Sequence, residues 1–177
     1  AIQQLFASLI LGRGLVIVPS DVRKDGKLIL NFLVENEIEI TDGIPTHVLS
    51  MITRTSKISE LSNLKHLIIG GEAFDIDLAK RFFKWCEDKD IKVSNVYGPT
   101  ECTVDSTIFT FDKNLIKGLT SIPIGKPMQN TNIYVLDENQ QLLPLGQKGE
   151  IYIGGAGVSS GYINQPTLTD NKFIYHQ

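Results

Sequence analysis

The run Asn95-Val96-Tyr97-Gly98-Pro99-Thr100-Glu101 gathers more usable side-chain chemistry than any other stretch of this chain. An apolar strand pattern ends there in a Gly-Pro turn that presents a hydroxyl and then a carboxylate. Tyr97 can stack on a flat base, and Asn95 offers an amide able to recognise an exocyclic amine. Thr100 can bond a phosphate oxygen. Glu101 suits Mg²⁺, a hard cation that prefers one or two carboxylates together with phosphate oxygens. A second strand end, Ile69-Gly70-Gly71-Glu72-Ala73, carries glycines that let a ligand approach backbone a side chain would otherwise block. Taken singly, either motif also reads as a plain turn beside a solvated carboxylate. Two of them in one alternating chain point to a nucleotide site beyond the carboxyl ends of a parallel sheet.

Other reactive residues resolve into structural roles. Gly154-Gly155-Ala156-Gly157 is glycine-rich but opens no evident helix, so it lacks the context of a dinucleotide-binding loop. His47, His66 and His176 share no spacing with a carboxylate or a nucleophile and read as packing or surface residues. Cys102 follows Glu101 with no base beside it, and Ser159-Ser160 lacks a Gly-x-Ser-x-Gly elbow. Phe82, Phe83 and Trp85 lie at helical spacing and belong to a core.

The elements that must position the two strand ends follow from hydrophobic periodicity. An apolar helix runs to about Leu11 and stops at Gly12, and Leu15 to Val18 suits a strand buried on both faces. A helical stripe spans about Lys27 to Asn36, and a strand follows over Ile38 to Thr41. Pro45 suits the first turn of a helix through Leu49 and Ile52. Leu67 to Ile69 is a buried strand. Asp75 or Asp77 caps a helix whose face is Leu78, Ala79, Phe82, Phe83 and Cys86, and Val93 to Tyr97 is the next strand. Alternation of this kind implies right-handed crossovers and a mostly parallel sheet with flanking helices. Beyond about Asp105, short strands over Ser106–Phe111, Asn132–Leu136 and Gly149–Ile153 imply an antiparallel, barrel-like part. The expected division is an α/β sheet part over about 1–105 and a β-rich part over about 106–177.

Composition narrows the function classes. The chain has 177 residues, 42% hydrophobic and 21% charged, with a net charge of -3, which gives no electrostatic footprint for nucleic acid. The apolar run Leu5 to Leu11 is too short to span a bilayer, and no leader pattern opens the chain. Cys86 and Cys102 have neither disulfide nor metal spacing, so a reducing, cytoplasmic setting is the expectation. The chain starts at Ala1 and stops at Gln177 in mid-phrase, which reads as a segment of a longer polypeptide.

The run ending in Thr100-Glu101, the Gly70-Gly71-Glu72 turn and the stretch from Gly149 to Tyr162 together resemble adenylate-forming enzymes. Most closely they resemble the adenylation domains of nonribosomal peptide synthetases. The likeness covers nearly the whole chain and implies that residues 1–177 form part of the large N-terminal subdomain. It implies ATP and Mg²⁺ as cofactors, with Tyr97 and Asn95 on adenine and Gly71 and Glu72 bordering it. Thr100 and Glu101 would serve phosphate and metal. The Gly149 to Tyr162 stretch is chiefly architectural in the family. The parts that handle pyrophosphate, the substrate amino group and the ribose are expected outside this chain, so it should not adenylate anything alone.

The resemblance also assigns a substrate pocket to Gln3, Asp42, Ile68, Gly70, Val96, Val104 and Asp105. Two aspartates and a glutamine among small or aliphatic residues would be left unpaired by an apolar substrate, which is costly in a desolvated pocket. A carboxamide could donate to either aspartate and exchange hydrogen bonds with Gln3, so glutamine is expected first. Glutamate, repelled by the aspartates, comes second. The implied partners are the amino acid, neighbouring synthetase domains and a carrier domain bearing phosphopantetheine. The rivals are a coenzyme A ligase for fatty or aryl acids, which would want an apolar pocket, and a non-catalytic remnant of the fold.

Overall fold

A computed structural model describes residues 2–54, 63–86 and 89–175. They form two compact units: one comprises Ala1–Tyr97 and Thr107–Lys126, the other Gly98–Ser106 and Pro127–Gln177. The units are therefore interleaved along the chain and not successive across a single cut near residue 105.

The first unit carries helices α1 (Ile2–Ile10), α2 (Gly26–Glu35), α3 (Pro45–Arg54) and α4 (Ile76–Trp85). Its strands are β1 (Ile40–Gly43), β2 (His66–Ile69), β3 (Lys92–Tyr97) and β4 (Thr107–Phe111). With β5 (Lys126–Pro127) they make one five-stranded sheet in the order β1-β2-β3-β4-β5. β1, β2 and β3 run parallel, and β4 runs antiparallel to β3. This is the α/β class with a mostly parallel sheet, as its alternating apolar runs imply.

Local signals account for the boundaries. Helix α1 ends in a Schellman turn, with Arg13 N donating to Ser8 O, Gly12 N to Leu9 O, and Gly12 at φ 63°. Asp25 caps α2 through the amides of Lys27 and Leu28, and Asp75 caps α4 through those of Asp77 and Leu78. Gly26 sits so close to α3 that an added Cβ would lie 2.4 Å from the Ser50 carbonyl carbon, so the two helices need a glycine there.

Side-chain alternation divides the sheet into two faces. Leu67, Ile69, Val93 and Phe111 point into the core, where Leu30, Leu33, Val48, Met51, Ala79, Phe82 and Phe83 of α2–α4 meet them. The other face carries Asp42, His66, Ile68, Ser94 and Thr110, and a polar chain crosses it from His66 Nε2 to Ser94 Oγ (2.8 Å) and on to Thr110 Oγ1 (2.7 Å).

Two expectations are corrected here. Leu15 to Val18 is not a strand: no described strand offers it a ladder, and Val16 and Ile17 are exposed at 42% and 78%. An apolar run of that length becomes a strand only where a neighbour supplies hydrogen bonds. The strand expected at Ser106–Phe111 exists as β4 but joins the first sheet, because β3 offers its free edge to the returning chain.

The second unit is a hairpin of β6 (Thr131–Leu136) and β7 (Glu150–Gly155), antiparallel from Thr131↔Gly155 to Leu136↔Glu150. It also contains the loop 98–106 and the short helix α5 (Pro166–Lys172).

Candidate functional site

In the first unit the residues expected at a nucleotide and substrate site collect at the carboxyl ends of β1, β2 and β3. Parallel register pairs Asp42 with Ile68 and Gly43 with Ile69, and then Ile69 with Asn95. Because partners across a ladder share a face, Asp42, Ile68 and, by alternation, Gly70 and Val96 lie on one side. Gly70 is required there: a Cβ would stand 2.7 Å from Val96 Cγ2. Asn95 and Tyr97 alternate to the opposite face.

Asn95 is almost fully buried, and its Nδ2 donates to the Pro123 carbonyl at 2.8 Å. A carbonyl can only accept, so this contact fixes which end of the amide is nitrogen and leaves Oδ1 as the acceptor. That suits an amino-bearing base and disfavours a keto one. The Pro123 loop is itself anchored, since Thr107 Oγ1 donates to Ile124 O at 2.7 Å. Gly125, at φ 92°, lies where a Cβ would be 1.9 Å from Ile108 O. Tyr97 is 38% exposed and so presents its ring to solvent.

Gly71 adopts φ 79°, and Glu72 turns its carboxylate onto the start of α3, accepting from Thr46 N and Thr46 Oγ1 at 3.3 Å each. Glu72 therefore caps a helix, and only its backbone remains to border a ligand. Asp42 Oδ2 accepts from Gln4 Nε2, while the half-buried Gln3 makes no side-chain hydrogen bond among the described residues. Gln4 was not among the residues expected from sequence. Neighbouring glutamines on a helix face different directions, and nothing in their spacing tells which one meets a strand 38 positions away.

In the second unit the loop 98–106 holds Thr100, Glu101, Val104 and Asp105. Gly98 lets it fold back on itself: a Cβ would stand 2.5 Å from Val104 O and 2.7 Å from Asp105 Cα. Thr100 to Cys102 form one 3₁₀ turn, with Thr100 exposed. Glu101 Oε1 accepts a hydrogen bond from the Tyr162 hydroxyl, and this contact holds the Glu101 carboxyl below its ordinary range. The same bond pushes the Tyr162 phenol up. Tyr162 is another participant unforeseen from sequence, lying 61 positions downstream.

The described residues contain no group of three or more His, Cys, Asp or Glu able to cage a metal. A lone oriented carboxylate at Glu101 fits Mg²⁺ that arrives on a nucleotide, because phosphate oxygens and water fill most of its shell. The thiols are inert: burial pushes Cys86 up to about 12, and burial with the Glu101 charge raises Cys102. Ser94 is fully buried beside His66, so that pair is no nucleophile site; His176 lies outside the described residues. A cleft of about 420 Å³ beside α2 and α3, lined by Arg23, Lys24, Thr46, His47 and Ser50, contains none of the expected site residues. Its Ser50 hydroxyl is already bonded to Gly26 N.

A strand end carrying Asn95 and Tyr97, followed in sequence by the Thr100-Glu101 turn, accords with an AMP-binding enzyme of the adenylate-forming class. The chain belongs to that family: the AMP-binding enzyme model matches residues 1–163. Within the class its likeness is to nonribosomal peptide synthetases. It is 37% identical over 176 residues to bacitracin synthase 1 of Bacillus licheniformis and 38% identical over 177 residues to surfactin synthase subunit 1 of Bacillus subtilis (strain 168). Those matches cover 99% and 98% of this chain but only 3% and 5% of the relatives. A solved four-domain nonribosomal peptide synthetase bound to AMP and glycine is 32% identical. It superposes with a TM-score of 0.85 over 99% of this chain and 12% of its own.

Proposed function

We propose that residues 1–177 form part of an amino-acid-activating adenylation domain. In the whole protein an amino-acid carboxylate attacks the α-phosphorus of ATP in line. A carboxyl–phosphate bond forms as the bond to the departing pyrophosphate breaks, giving aminoacyl-AMP. The aminoacyl group then passes to a phosphopantetheine thiol on a carrier domain. The observation that carries this reading is the bond from Asn95 Nδ2 to the Pro123 carbonyl, which leaves Oδ1 as the end of the amide suited to an amino-bearing base, two positions before Tyr97.

The roles follow the chemistry of each group. Asn95 and Tyr97 hold adenine, with the Gly71–Glu72 backbone beside it. Thr100 bonds a phosphate oxygen and Glu101 holds the metal. Mg²⁺, when bound, neutralises charge on the phosphates and on the departing pyrophosphate. To the substrate side chain the resemblance assigns Gln3, Asp42, Ile68, Gly70 and Val96 of the first unit and Val104 and Asp105 of the second, with glutamine the favoured substrate and glutamate second. One Asp42 oxygen already accepts an amide N–H from Gln4, so that oxygen is not left unpaired by an apolar substrate, and the preference rests on the resemblance. Partner domains are supported by the likeness to the solved four-domain nonribosomal peptide synthetase, 32% identical to this chain. Cytoplasmic residence belongs to the same reading and is supported by two free cysteines. No described helix is long and apolar enough to cross a membrane.

The test is amino-acid-dependent exchange of labelled pyrophosphate into ATP by the full adenylation domain, offered glutamine, glutamate, leucine and a fatty acid. Exchange led by glutamine supports the reaction and the pocket together. Glutamate ahead of glutamine keeps the reaction and overturns the repulsion argument. Leucine or fatty acid alone removes the pocket assignment, fatty acid alone also favours the coenzyme A ligase, and no exchange at all favours a non-catalytic remnant.

A further inference from the structure

We propose that Tyr162 is a positioning residue for Glu101, and that the glycine-rich segment from Gly154 to Tyr162 is the strap that holds the metal-side loop in shape. The proposal rests on the reading of Glu101 as the magnesium carboxylate. Its structural basis lies entirely within the second unit.

The loop 98–106 has turn bonds of its own, such as Cys102 N to Pro99 O at 3.0 Å, yet it holds strained backbone. Thr103 and Val104 are both β-branched and both left-handed, at φ 57° and 71°, a conformation that such residues adopt only when the surroundings impose it. The strap supplies that constraint. Ser159 N donates to Glu101 O at 2.8 Å, and Thr103 Oγ1 donates to Gly157 O at 2.7 Å. Gly157 packs so tightly that a Cβ would stand 3.0 Å from Cys102 O. These contacts grip the Glu101 carbonyl and the two residues that follow it, and the Tyr162 hydroxyl then fixes the carboxylate through Oε1.

Tyr162 is itself locked. Its backbone N donates to Thr169 Oγ1 at 2.9 Å, and its ring meets Phe173 edge-to-face at 5.6 Å. Gly161, at φ 119°, brings the chain against Thr169, where a Cβ would lie 2.4 Å from Cγ2. With one carboxylate oxygen held by a neutral donor, Oε2 has a set direction and retains its charge for a cation. A partner that orients a ligating carboxylate without touching the metal is the usual second layer of such sites.

The experiment uses the full adenylation domain and Mn²⁺ as probe, with free Mn²⁺ read by electron paramagnetic resonance in the presence of ATP. Tyr162→Phe keeps the Phe173 contact and is expected to weaken Mn²⁺ binding about 10-fold. The melting temperature and the KM for the amino acid should stay close to wild type. Phe173→Ala, which loosens the ring from its other side, should weaken Mn²⁺ in the same direction by less. In a Glu101→Gln background, Tyr162→Phe should add nothing further. If Glu101→Gln weakens the metal while Tyr162→Phe and Phe173→Ala both leave it untouched, the positioning role is overturned and the Glu101 reading stands. If Glu101→Gln itself leaves Mn²⁺ binding unchanged, the reading of Glu101 fails, and the positioning role with it.

Discussion

The two units are built by different means. Every member of the buried apolar cluster, from Leu30 to Ile116, belongs to the first unit, whereas Leu136 is the one buried hydrophobic residue described in the second. The first unit is held by apolar burial, which is non-directional and spread over many side chains. The second relies on the β6–β7 ladder, on glycines at φ near 120°, and on hydrogen bonds from Thr103, Ser159 and Tyr162. The lesson is a division of labour. The core fixes where strand ends lie, and directional bonds shape the loop that carries Thr100 and Glu101.

Substitution can break that comparison most strongly in the core. Phe82 is 1% exposed and meets Phe83 at 5.5 Å and Trp85 at 6.0 Å. Phe82→Ala should cost about 3–5 kcal/mol, read from the urea midpoint of the full domain. A cost under about 1 kcal/mol, within what an ordinary surface change produces, would mean that this unit is not held by its core. Gly155→Ala tests the other half. Gly155 sits at φ 118°, and a Cβ would stand 2.1 Å from Asn130 O, so the substitution should cost about 1–3 kcal/mol as local strain. Hydrogen exchange should then speed up in β6 and β7 while the amides of β2 and β3 keep their protection. Equal loss in both sheets would show that the two units unfold as one.

How much of this was legible in the sequence depends on the range of the interaction. Helices α2, α3 and α4 and strands β2 and β3 were readable because apolar period, a capping aspartate and Pro45 act within a few residues. The Asn95 to Glu101 run was legible as chemistry for the same reason. Strand partnership was not. The pattern of Thr107 to Phe111 says that it pairs, but not that it pairs with β3, and Leu15 to Val18 has a strand's composition without a described neighbour. The Gln4–Asp42 and Tyr162–Glu101 contacts join residues 38 and 61 positions apart, and no local period reports such a meeting. The carbonyl of Pro123 that orients Asn95 was invisible because a backbone acceptor leaves no mark on residue type.

A smaller effect sharpens the account of the first unit by separating its local signals from its core. Asp75 Oδ1 accepts from Asp77 N at 2.8 Å and from Leu78 N at 3.1 Å, satisfying two amides that α4 cannot satisfy internally. Asp75→Ala should cost about 1 kcal/mol, and Asp75→Asn should recover most of it. Failure of asparagine to rescue would shift the effect from the cap to the lost charge.

The smallest expected effect is a dependence on pH that the first unit should show and a His66 variant should lack. Burial and the nearby Lys92 charge both lower the His66 pKa below its ordinary value of 6.5, while Nε2 stays bonded to Ser94. The unfolded chain therefore takes up the proton more readily than the folded one. The contribution of neutral His66 is fully present above 6.5 and is lost as the pH falls from there through the folded value. Asp25, Glu39 and Asp112 also have lowered pKa values, but from carboxylate reference values of 3.8 and 4.5, so their losses come at lower pH. The denaturation midpoint of the full domain should begin to slope downward just below pH 6.5, and His66→Gln should flatten that part of the curve while leaving the more acidic fall intact. A slope of the same size in the glutamine variant would assign the proton uptake to another group and leave the His66–Ser94–Thr110 chain a neutral packing feature of the sheet.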